Sequence, residues 1–171
     1  LAKVKEICSQ VKTEIANINC PGQTVISGAP EAIEKAQTLA KEKGAKLAVI
    51  LEVSGAFHSS FMQEAALKLA KELEKINITT PRFPVISNVI ARPVSSPDEI
   101  KQNLISQVSS GVLWEDSMKL ILSKNVTTFF EFGPGKVLKG LMRRINEKAE
   151  VINIEKKEDI EKLQAEAEDA S

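Results

Sequence analysis

The chain has 171 residues, 43% hydrophobic and 27% charged, which suits one soluble globular domain or a domain with a small lobe. Its 23 Lys and Arg balance its 23 Asp and Glu, which argues against a nucleic-acid partner held by phosphate neutralisation. No apolar run approaches the roughly 18 residues of a membrane-spanning helix, so no membrane is expected. Cys8 and Cys20 are too few for a disulfide framework and lack the paired spacing of a metal site, so no metal is expected. The sequence begins with Leu1 rather than Met and shows no signal-peptide pattern, so the natural chain is expected to start upstream.

Val4, Ile7 and Val11 share one helical face, which predicts a helix within the first 15 residues. Residues 14–19 alternate apolar and polar as a strand does. Pro21-Gly22 marks a turn, and residues 24–27 resume the extended pattern. Pro30 opens the next helix, Ile33, Ala36, Leu39 and Ala40 form its apolar stripe, and Gly44 ends it. Residues 46–53 read as a strand. The order helix, strand, strand, helix, strand over residues 1–53 is that of a small α+β lobe lacking its first strand.

The loop from Ser54 to Phe57 leads to His58, the single histidine. Ser60 with Gln63 has the form of a capping box, and Met62, Ala65, Ala66, Leu69, Leu73 and Ile76 continue a helix to about residue 76. A short strand is expected over 83–87. Ser96-Pro97-Asp98-Glu99 is a second capping-box pattern and starts a helix over about 97–108. Met118, Ile121 and Leu122 keep helical spacing after Trp114, and 127–132 reads as a buried strand with adjacent phenylalanines. Gly133-Pro134-Gly135 turns the chain into a helix over about 136–146, and 151–154 reads as a last strand. The alternation over 54–154 predicts an α/β sheet layered with helices. Residues 155–171 are polar, a solvated helix or frayed tail.

His58 carries the most chemical information. It lies just before an expected helix N-terminus, whose positive dipole end favours neutral imidazole, the state a general base needs. The alternative is a structural histidine satisfying its loop. No G-x-S-x-G elbow occurs, and Ser54, Ser59 and Ser60 read as local caps. Nothing near Cys8 or Cys20 favours a thiolate. The sequence therefore offers a base without a nucleophile. Gly133-Pro134-Gly135-Lys136 reads as a tight turn, with an anion cradle as the sharper alternative. Lys136, Lys139, Arg143 and Arg144 make a basic helix side, either solvated or suited to an acidic partner.

Several segments together resemble one family. Residues 17–28, Asn-Ile-Asn-Cys-Pro-Gly-Gln-Thr-Val-Ile-Ser-Gly, are similar to the N-x-N-x-P-x-Q-x-V-I-S-G stretch of malonyl-CoA:acyl-carrier-protein transacylases. Residues 53–59 resemble that family's segment around its catalytic histidine. Residues 84–89, Gln107 with Val112-Leu113-Trp114, and Glu131 to Leu138 follow in the family's order, so the resemblance covers residues 1 to about 146.

The resemblance implies an acyltransferase of fatty acid synthesis in the cytoplasm. It would move malonyl from its coenzyme A thioester to the phosphopantetheine thiol of acyl carrier protein through an acyl-serine, with no cofactor. His58 matches the general base and Gln107 the residue whose main-chain carbonyl orients it. Phe57 matches a selectivity position at which a bulky ring excludes methylmalonyl. Asn17, Asn19, Gln23 and Asn88 are candidates for lining the substrate cleft, or else polar groups satisfying turn backbone. The family's serine elbow lies about a hundred residues before its histidine, outside this sequence, so the chain alone is expected to be inactive, and a sheet without its central strands would expose apolar edges and make it poorly soluble. The implied fold is the C-terminal part of an α/β-hydrolase-like acyltransferase core, residues 54–154, plus an incomplete ferredoxin-like lobe, residues 1–53. A non-catalytic carrier-protein-binding fragment and a subunit completed by another chain are the alternatives.

Overall fold

A computed structural model describes residues 1–169. The chain divides into two compact units, Leu1–Ser117 and Met118–Ser171. Residues 1–53 and 54–117 fall within one of these units. The physical reason is a set of hydrogen bonds that tie residues 57–60 and 112 back to residues 14–27. Residues 155–169 likewise belong with the second unit.

In the first unit, α1 (Ala2–Val11) turns through Lys12, in the left-handed region at φ 58°, into the hairpin of β1 (Glu14–Cys20) and β2 (Gln23–Ser27). The strands pair antiparallel, with Glu14 opposite Ser27 and Cys20 opposite Gln23. Gly22, at φ 80°, supplies the turn conformation that L side chains resist. Helix α2 (Pro30–Glu42) starts where Pro30 fixes φ at no hydrogen-bond cost and packs against α1. Ile7, Cys8, Ala16, Cys20 and Ala36 form the buried core here.

Residues 46–53 are not a strand. Leu47, Val49, Ile50, Leu51 and Val53 are exposed, and no strand of the described residues pairs with them. An apolar, β-branched composition favours a strand only where a ladder partner exists.

A short 3-10 turn (Ser60–Met62) precedes α3 (Gln63–Glu74), which packs against α4 (Pro97–Ser109). Between these helices, β3 (Val85–Ser87) and β4 (Arg92–Val94) make a small antiparallel hairpin. Both expected capping boxes are absent as side-chain caps. The Ser60 hydroxyl donates to Glu14 instead, and Glu99 accepts from Arg92 at 3.4 Å.

Helix α5 (Trp114–Leu122) leads into the second unit. There β5 (Thr128–Phe132), α6 (Val137–Ile145) and β6 (Glu150–Ile154) form a parallel β–α–β unit, followed by α7 (Lys157–Asp169). Strand β5 is not the buried strand its composition suggests. Phe130 and Phe132 are exposed, at 51% and 72%, while Glu131 is buried. The three sheets have two strands each, so the α/β character is present without an extended sheet among the described residues.

Candidate active site

The geometry centres on His58. Its backbone is left-handed at φ 56°, which costs a non-glycine residue roughly 1–2 kcal/mol and persists only when neighbours hold it. The neighbours are visible. Ser59, fully buried, donates its hydroxyl to the Ala56 carbonyl, and Ser27 donates its hydroxyl to the Phe57 carbonyl at 2.7 Å. The Ser60 amide donates to both carboxylate oxygens of Glu14, each at 3.1 Å.

The imidazole Nδ1 lies 2.9 Å from the main-chain oxygen of Gln107. A carbonyl can only accept, so this contact places the proton on Nδ1. In the neutral ring it leaves the Nε2 lone pair free to take a proton. Sequence reasoning paired these two residues, and the fold brings them together across 49 positions. The Gln107 side chain serves its own turn, donating from Nε2 to the Ser110 carbonyl at 2.8 Å.

Residues 107–113 connect most of the other candidates. Val112 bridges to Asn17, accepting from the Ile18 amide at 2.9 Å and donating to the Ala16 carbonyl at 2.8 Å. The Leu113 amide donates to the Asn88 carbonyl at 2.8 Å. Asn17 and Asn88 are therefore joined to the segment that holds His58, through backbone. Asn19 lies further along β1, at the far end from Glu14. Gln23 accepts from the Cys20 thiol at 3.4 Å across the Pro21-Gly22 turn, which gives its side chain a local structural partner. Phe57 presents its ring with 45% exposure beside the histidine.

Two contributors had no role assigned from the sequence, Glu14 and Ser27. Glu14 lies outside every matched stretch, Ser27 lies within the 17–28 stretch without a role of its own, and their partners lie 46 and 30 residues away. The Gly133-Pro134-Gly135 turn is not an anion cradle. The Leu138 and Lys139 amides at the start of α6 donate to the Glu131 carboxylate at 2.8 and 2.9 Å, so a side chain already fills the helix N-terminus. Cys8 and Cys20 are buried and form no disulfide. Among the described residues, no group of three His, Cys, Asp or Glu is placed to hold a metal ion, and no helix is long and apolar enough to cross a membrane.

The fold thus presents a mixed α/β chain in which a main-chain carbonyl orients the single histidine. Comparisons with known proteins make the relationship specific. The chain is 45% identical over 163 residues to a Bacillus subtilis malonyl CoA-acyl carrier protein transacylase, covering 92% of this chain and 51% of the relative. The acyl-carrier-protein S-malonyltransferase of Bartonella henselae superposes with a TM-score of 0.90 at 43% identity, over 95% of this chain and 53% of that one. A type II PKS acyl-carrier protein in complex with its malonyl-transacylase gives 0.89 at 34% identity, over 93% of this chain and 53% of that chain. No family model matches the chain. By sequence and fold alike, the chain is a relative of the malonyl CoA-acyl carrier protein transacylases. It spans about half the length of the curated relatives it matches.

Proposed function

We propose that this chain contributes the histidine half of a malonyl-CoA:acyl-carrier-protein transacylase. The observation that carries the reading is the 2.9 Å contact between His58 Nδ1 and the Gln107 carbonyl, which readies Nε2 as a base. In this reading the serine comes from the part of the relatives' length that the chain does not span. His58 takes the serine proton as the serine oxygen attacks the malonyl thioester. The tetrahedral adduct collapses and expels coenzyme A as the thiolate, which takes that proton and leaves as the thiol. The phosphopantetheine thiol of acyl carrier protein then gives its proton to His58 and attacks the acyl-serine ester. The serine departs and recovers the proton. Acyl exchange between two thiols neither gains nor loses electrons, so the reaction calls for no redox cofactor. The malonyl-CoA and carrier-protein partners fit a cytoplasmic setting.

The same reading assigns residues 1–53 to an incomplete ferredoxin-like lobe and 54–154 to part of an α/β-hydrolase-like core. The β1–β2 hairpin beside α1, the packing of α1 on α2, and the parallel β–α–β unit support it. A subunit completed by a separate polypeptide is the second reading, favoured by the exposed apolar stretch Leu47–Val53.

The test joins the chain to the remaining portion of the Bacillus subtilis relative and measures malonyl transfer to phosphopantetheinylated carrier protein. Transfer is expected, and His58→Ala should cut it about 10²–10⁴-fold. An unchanged rate would remove His58 from the mechanism. The chain alone should acquire no stable label from radiolabelled malonyl-CoA; carrier-protein binding without transfer by the joined protein would favour a non-catalytic module.

A further inference from the structure

Glu14 and Ser27 face each other across the β1–β2 ladder. From that one rung they reach the same loop at two points, the Ser27 hydroxyl on the Phe57 carbonyl and the Glu14 carboxylate on the amide and hydroxyl of Ser60. His58 and Ser59 are bracketed between these two grips, and the left-handed backbone of His58 is the least comfortable conformation in the loop. Beyond His58, the 3-10 turn begins at Ser60, so the carboxylate also satisfies a leading amide of that turn. Neither contact is needed to close the hairpin, which has its own ladder.

We propose that Glu14 and Ser27 are positioning residues that clamp the 57–60 loop and so hold the imidazole of His58 on the Gln107 carbonyl. The clamp rests on the reading of His58 as the base for its functional meaning, while its geometry stands without it. Glu14 supplies the stronger grip, because hydrogen bonds to a charged group exceed neutral ones. Ser27 supplies the second point, which prevents the loop from pivoting about the first. A hairpin that contains no reacting group thereby sets the aim of the base.

His58 is the only histidine, so its ring gives isolated signals in nitrogen NMR of the full 171-residue chain. Solvent exchange of the Nδ1 proton should accelerate at least about tenfold in Glu14→Ala, the factor that losing one charged hydrogen bond supplies. Ser27→Ala should accelerate it less. Glu14→Gln keeps one acceptor oxygen and should fall between wild type and Glu14→Ala. Amides within β1 and β2 serve as an internal control and should keep their protection; if they lose it, Glu14 holds the hairpin rather than the loop and the clamp is refuted. Equal Nδ1 exchange in all four proteins would also overturn it. In the joined, full-length protein, Glu14→Ala should lower kcat about tenfold and leave KM for malonyl-CoA unchanged. If His58→Ala has no effect on transfer while Nδ1 exchange still responds to Glu14, the catalytic reading fails and the clamp survives.

Discussion

The main-chain oxygen of Gln107 receives the Nδ1 proton of His58 at 2.9 Å, while the Gln107 side chain turns away to the Ser110 carbonyl at 2.8 Å. A backbone acceptor orients the ring without a second ionisable group, so the pair adds no charge to the site. A side-chain substitution at position 107 cannot delete it.

Gln107→Ala should therefore leave the His58 tautomer unchanged, as read by the nitrogen shifts of its single imidazole. The variant loses the bond to Ser110 and also removes Gln107 Oε1, a buried oxygen without a hydrogen-bond partner. These losses oppose each other, so stability should move by less than about 1.5 kcal/mol. A proton shifted to Nε2 would show that the side chain, not the backbone, sets the ring.

Phe57 precedes the histidine and presents a partly exposed ring. In the joined enzyme, Phe57→Ser should raise the use of methylmalonyl-CoA relative to malonyl-CoA, by the roughly 10–200-fold that one methyl group is worth in a pocket. Competition between the two thioesters measures the ratio. An unchanged ratio would take Phe57 out of acyl selection.

Gly111 sits where the 107–113 segment crosses β1. A Cβ there would lie 2.7 Å from the Ile15 carbonyl oxygen, and that oxygen belongs to a paired strand with little freedom to retreat. Gly111→Ala should destabilise the chain by about 1–3 kcal/mol in chemical denaturation. It should also disturb the His58 ring signals, because Val112 and Gln107 would move together. Wild-type stability would mean that the crossing yields without cost.

Asp159 reaches back from the first turn of α7 to accept the amides of Glu155 and Lys156, each at 3.0 Å. These bonds, the Glu155 amide foremost, hold its carboxyl below the ordinary aspartate value. The folded state therefore binds this proton less readily than the unfolded one. The stabilisation is complete above the ordinary aspartate range and is lost as pH falls through the depressed value. Carbon NMR titration of Asp159 should show the downward shift, with the amides of Glu155 and Lys156 moving in the same step. Asp159→Asn should abolish that step, and its persistence would point to another group.

Local signals made some of this structure legible. Pro30 and Pro97 each opened a helix where a proline without an amide donor is tolerated, and the apolar periodicity behind them carried the helices to 42 and 109. The His58–Gln107 pair was legible only through the family resemblance, since nothing in the spacing of two residues 49 apart predicts contact. Residues 46–53 misled because a strand is a property of a pair of segments, and composition describes only one of them. Ser60 misled for the opposite reason. Its pattern fits a local cap, yet a carboxylate 46 residues earlier in the chain wins its hydroxyl.

Glu131 has a consequence for how β5 is read during folding. The strand Thr-Phe-Phe-Glu-Phe has phenylalanines on both of its faces, so hydrophobicity alone does not say which face should turn inward. Sliding it by one residue along β6 would exchange the faces, turn the Phe130 and Phe132 rings inward and strand the carboxylate outside. The Leu138 and Lys139 amides would then lose their acceptor. An acidic residue in the middle of an aromatic strand thus acts as an alignment mark, allowing one pairing of β5 with β6 and penalising its neighbours.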